Sequence, residues 1–169
     1  LTARKLDVPQ VVRPVLFQAA LAMNISMARE QDTLARQSAR PDARQRELIE
    51  HHAQASADLL RGLGAVNEDL LDIVALHHCT DESQGLARNL ECRRILHCAD
   101  LFAARIAARA TRVALSAIGA ARAGITQSTG EEARVNAAMT QALGFYPPGT
   151  YVTLANGEKA VSVLHGAAA

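Results

Sequence analysis

Cysteine is scarce and its spacing offers no pairing. Cys79, Cys92 and Cys98 are the three among 169 residues, none forms a CxxC pair, and three cannot all be bridged. A disulfide-stapled scaffold is excluded. An excess of either charge is missing too: 18 Lys and Arg against 17 Asp and Glu leave a formal charge of +1. No global field therefore draws the chain to nucleic acid or to an anionic membrane surface. No apolar run is long enough to span a bilayer, and nothing resembles a signal peptide, so a cytoplasmic chain with neither a nucleic-acid nor a membrane partner is expected. Internal repeats and low-complexity tracts are likewise missing. The chain opens on Leu1 rather than Met, from which further sequence upstream is expected.

What is present is enough apolar material for one core. A hydrophobic content of 49% in 169 residues suits a single domain. Residues 1–10 read as a loose polar lead-in, 11–145 as a helical body, and 146–169 as a β-hairpin appendage of the same domain. From Pro14 to Gln37 the positions Leu16, Ala20, Met23 and Met27 recur at helical spacing, with Pro14 suited to a first turn. Met23, Met27 and Phe17 read as core. Pro41-Asp42 punctuates, and a second helix runs to Gly62 or Gly64. Its row Glu47, His51, Gln54, Asp58 is polar, whereas Ile49, His52, Ser56, Leu59, Leu63 is mostly apolar, so His52 points inward and His51 outward.

Asn67 caps a third helix with Leu70, Leu71 and Val74 as its buried stripe. That helix closes on the adjacent pair His77-His78. Cys79 to Asn89 reads as a loop, and a helix from Glu91 to Ala110 places Leu96, Asp100, Ala103 and Ala107 along one row. A carboxylate on such an apolar face is costly unless a metal, a cation or hydrogen bonds compensate it. Helices over Val113–Ala123 and Glu131–Leu143 follow. Tyr151–Leu154 and Lys159–Val163 then flank Asn156-Gly157, a pair suited to a tight hairpin turn.

Neutral imidazoles and a charge-balancing oxygen are the groups a divalent ion needs. His52, His77, His78 and Asp100 are thus the candidate ligand set for one ion, with zinc, iron or manganese as the metal. The competing reading is a set of buried polar residues bonded to one another. His97, three residues before Asp100, reads as exposed, as do His51 and His165. Cys79 and Cys92 read as small buried hydrophobes rather than ligands.

His52, the pair His77-His78, Ile95–Asp100, the spacing of Arg109-Ala110-Thr111-Arg112, and above all Gly144-Phe145-Tyr146-Pro147-Pro148-Gly149-Thr150 with Asn156-Gly157-Glu158 resemble the HD-GYP domains of bacterial signalling. The resemblance covers Leu16 to Val163. It implies an all-α, HD-domain-like helical bundle with a small C-terminal β-hairpin. In working members it also implies a phosphodiesterase that opens cyclic di-GMP with two or three metal ions, which bridge the phosphate and supply hydroxide. Arg109 and Arg112 match family positions near the site, where guanidinium forks suit phosphate oxygens. The competing reading makes them cations near a helix C-terminus.

Two hallmarks of that family are absent. In the first helix, where the family carries its naming His-Asp pair, this chain reads Met23-Asn24. A thioether is a poor ligand for hard cations, and an amide lacks the charge that lets a carboxylate bridge two of them. After His77-His78, the family's Glu and Gly-Tyr-Pro loop is replaced by Cys79-Thr80-Asp81-Glu82-Ser83-Gln84-Gly85-Leu86. The expectation is a degenerate, catalytically inactive member acting as a regulatory or protein-interaction module with a signalling-domain partner. The alternative is a metal-dependent phosphohydrolase with a reduced metal site, acting on a cyclic dinucleotide.

Overall fold

The computed structural model describes residues 1–144 and 146–163; Phe145 and residues 164–169, His165 among them, lie outside the described residues. The chain is mostly helical and ends in a small two-stranded antiparallel sheet, as expected. No helix among the described residues is long and apolar enough to cross a membrane.

The lead-in is not loose. Thr2–Lys5 forms a short helix, α1, which packs against the last helix, and Val8 enters the core with 4% exposure. Burying one valine contributes about 1.5–3 kcal/mol, enough to dock a segment that is otherwise polar.

The helix expected over Pro14–Gln37 is two helices, α2 (Arg13–Ala22) and α3 (Ala28–Arg36), joined by a 3₁₀ turn over Ile25–Met27. Side chains compete with the helical ladder at the break. The Ser26 N–H donates to Ser56 Oγ at 3.2 Å, and Ser26 Oγ donates to the His52 carbonyl at 3.0 Å. The kink is thereby fastened beside His52. Leu16, Ala19, Met27 and Leu34 face inward, while Ala20 is exposed and Phe17 stands 66% exposed rather than in the core.

Helix α4 (Ala43–Gly62) begins with a capping box. Asp42 accepts from the Gln45 N–H at 2.7 Å, and Gln45 Oε1 accepts from the Asp42 N–H at 3.1 Å. It ends before Gly64, whose φ of 94° suits the residue after a helix. His52 and Ser56 are buried, but Leu59 and Leu63 further along the same row are exposed. A row spaced at 3.5 residues drifts by roughly 20° per heptad around a straight helix and so leaves the core.

Asn67 caps α5 (Glu68–Ala75) through the Leu70 N–H at 3.0 Å, and Leu71, Ile73 and Val74 are its core residues. The following loop is fastened rather than open. Asp72 accepts from the Leu86 N–H at 2.8 Å and from Asn89 Nδ2 at 2.9 Å, and the fully buried Arg93 donates to the Gln84 carbonyl at 2.8 Å. Gly85, at φ 65°, leaves no room for a side chain: a Cβ would come within 2.4 Å of both Asp72 Oδ1 and Leu76 Cδ1.

Helix α6 (Leu90–Ile106) stops short of the expected Ala110, and α7 (Ala117–Thr126) starts later than the expected Val113 because Ser116 caps it, accepting from the Gly119 N–H at 3.1 Å. Between them the chain doubles back. Arg109 and Arg112 pair through their backbones at 3.3 and 3.1 Å, and the Ala110 N–H reaches the Ala35 carbonyl on α3 at 2.9 Å. Helix α8 (Gly130–Leu143) then packs against α6 and α7. The core joins Leu16 and Ala19 of α2, the apolar face of α5, Cys92, Ile95 and Leu96 of α6, and Val135 and Met139 of α8.

Strands β1 (Tyr151–Thr153) and β2 (Lys159–Val161) pair with Tyr151 opposite Val161 and Thr153 opposite Lys159. Only Gly157 of the Asn156-Gly157 pair takes a positive φ, 86°. The Gly157 N–H bonds the Leu154 carbonyl at 2.9 Å and the Leu154 N–H bonds the Glu158 carbonyl at 2.8 Å, which makes a three-residue loop with glycine in the left-handed position.

Candidate metal centre and its cavity

Three histidines from two elements converge. His52 projects from the middle of α4, and His77 and His78 occupy the turn immediately after α5, which packs along α4. One nitrogen from each lies within 4.8 Å of the others. His52 Nε2 stands 3.3 Å from His77 Nε2 and 3.3 Å from His78 Nε2. His52 and His77 are buried, whereas His78 is exposed at the residue level. His51 faces solvent, as its row predicts.

The opposite ring nitrogens fix the tautomers. His52 Nδ1 lies 2.6 Å from the Ile49 carbonyl and His77 Nδ1 lies 2.8 Å from the Val74 carbonyl. A carbonyl can only accept, so both Nδ1 atoms carry the hydrogen and both neutral rings present a bare lone pair at Nε2. Burial holds His77 below the usual histidine range, and the neighbouring His52 lowers it further. Desolvation and the charges of His77, His52 and His97 push His78 down to about 4. His77 and His78 thus favour neutral imidazole, the form that ligates metal.

Two lone pairs facing each other across 3.3 Å repel unless a positive centre lies between them. The donor set fits a divalent ion on that ground. The two pairs that include His52 also fit by size: zinc–imidazole bonds of about 2.0–2.1 Å place neighbouring nitrogens of a tetrahedron about 3.3–3.4 Å apart. Backbone carbonyls anchoring the far ring nitrogens are the usual outer support of metal-bound histidine.

Asp100 is not part of the converging trio. It lines a cavity of about 500 Å³ together with His52, His78, Met23 and Asn24. Among the described residues its carboxylate has no hydrogen-bonded or ion-paired partner, and its negative charge acts on His77, opposing the downward shift there. Met23 and Asn24 lie just before the break between α2 and α3 that Ser26 fastens, and both line the cavity that His52 and His78 share.

The two arginines separate. Arg109 lines the same cavity, whereas Arg112 donates to the carbonyl of Ala104 in the last turn of α6 and so caps that helix. His97 is half-buried rather than exposed. Its ring meets His78 edge-on with centroids 6.0 Å apart, and its Nδ1 is enclosed without a partner among the described residues. Spacing gave a signal for it, since residue 97 falls one turn before Asp100, but its contact with His78 is made between residues distant along the chain. Arg93, fully buried with Nε and Nη1 unpartnered among the described residues, carried no signal that set it apart from Arg94. Cys92 and Cys98 are buried, and desolvation pushes both thiols up to about 11, which makes them inert hydrophobes.

Comparison of the chain with protein-family models, with curated proteins and with solved structures gives no match.

Proposed function

We propose that this chain is a degenerate domain of the HD-GYP type that holds one divalent ion at His52, His77 and His78. It acts as a regulatory module for a signalling-domain partner rather than as a phosphodiesterase. The observation that carries this reading is the cavity wall. Met23 and Asn24 line the same cavity as His52 and His78, at the two positions where the resemblance would put an imidazole and a bridging carboxylate. One ion can be held by three neutral nitrogens, but a second hard cation beside it would lack a shared anion. The ion, when bound, would supply a Lewis-acidic centre; the chain's own contribution is to fix the lone pairs of His52 and His77, to bring His78 beside them and to line the adjoining space.

A second reading has its own support. Asp100 and Arg109 line the same cavity as His52 and His78, as a phosphohydrolase with a reduced metal site would require. Incubating zinc-, iron- or manganese-loaded protein with cyclic di-GMP separates the two. No linear dinucleotide is expected, and metal analysis of untagged protein is expected to show one equivalent. Turnover that disappears in His77→Ala would establish the phosphohydrolase instead.

A further inference from the structure

The cavity that His52 and His78 line combines apolar and charged side chains. Met23, Met27 and Leu34 from the α2–α3 segment and Ala103 and Ala107 from the end of α6 and just past it contribute apolar lining, which polar side chains such as Asn24 and Gln31 share with His52, His78 and Asp100. Its volume of about 500 Å³ lies within the range of roughly 300–1,000 Å³ typical of small-molecule sites. Asp32 and Arg109, both lining the cavity, offset one another in charge.

Charge balance at the centre points to the missing occupant. Three neutral imidazoles leave the two positive charges of a divalent ion uncompensated; of the two carboxylates that line the same space as His52 and His78, Asp32 is offset by Arg109 and Asp100 is not. One positive charge remains, next to an apolar cleft. We infer that the cleft binds a compact organic anion, a carboxylate with an apolar tail, whose head meets the ion and Arg109 while its tail lies against the methionine and alanine side chains. This inference rests on the one-ion reading above and names the ligand such a regulatory module would sense.

The test uses the whole chain loaded with cobalt(II), a visible stand-in for zinc, and titrates it with octanoate, acetate and octanol. Octanoate is expected to shift the cobalt absorption bands and to bind at least about tenfold more tightly than acetate, since each buried methylene contributes roughly fourfold. Octanol, lacking the charge, is expected to leave the bands in place. Arg109→Ala is expected to weaken octanoate several-fold with its cobalt content unchanged. Cobalt uptake with equal affinity for acetate and octanoate, or with bands that octanoate does not move, overturns the inference and leaves the one-ion reading standing. Failure to take up cobalt at all, with the protein folded by circular dichroism, overturns both.

Discussion

The tautomer of two side chains decides most of the chemistry. Because backbone carbonyls claim Nδ1 of His52 and His77, their Nε2 atoms meet as acceptors, and acidification must add protons to a cluster that resists them. The sign follows from the lowered pKa values. Between the unfolded value of about 6.5 and the folded value of about 4 for His78, the unfolded chain binds more protons, so stability falls as pH drops through that window. In chelator-treated protein, the urea midpoint is expected to decline from pH 6.5 to 4. The double variant His77→Gln, His78→Gln should decline less, and equal slopes for both proteins would contradict a neutral cluster.

Ser56 is a second decisive residue. Fully buried, it accepts from the Ser26 N–H at 3.2 Å and donates to Ser26 Oγ at 3.0 Å. Ser56→Ala strands that N–H and is expected to cost about 1–3 kcal/mol in urea denaturation. A loss well under that range would mean the kink is held by something other than this serine.

At the level of elements, the loop after the histidine pair behaves as part of the core. Asp72 on α5 receives Leu86 and Asn89, and Gly85 fits against that carboxylate at a positive φ. Gly85→Ala must both hold a left-handed backbone and displace Asp72 and Leu76, so a loss of about 2 kcal/mol or more is expected. Gly64 gives the control. It has a similar backbone, φ 94°, but nothing within 4 Å of where a Cβ would go, so Gly64→Ala should cost only about 1 kcal/mol. Equal losses by thermal denaturation would mean that the contacts around Gly85 contribute nothing.

Across the whole molecule, the first and last helices close on each other. α1 packs on α8, and Val8 joins the core that also holds Val135 and Met139. Removing residues 1–8 is expected to destabilise the protein by about 1.5–3 kcal/mol, the contribution of one buried valine, and to leave the metal stoichiometry unchanged. An unaltered melting temperature would show that this segment is only laid on the surface. Because the trio is carried by α4 and the turn after α5, the centre should survive the truncation.

Local signals sufficed wherever the physics is local. The break at Pro41-Asp42, the Asn67 cap, the inward His52 beside an outward His51, the loop from Cys79 and the hairpin around Gly157 were all legible, since each depends on a few neighbouring residues and their helical or turn periodicity. Contacts distant along the chain decided the rest. Ser56, thirty positions from Ser26, broke one expected helix into two; the return of the chain to Ala35 went with a shorter α6; and packing put Phe17 outside and Val8 inside. The residue types around the centre were readable, but that His52 and His77 point two lone pairs at one spot, with Asp100 standing off across the cavity, depends on how three helices meet, which spacing along a chain cannot encode.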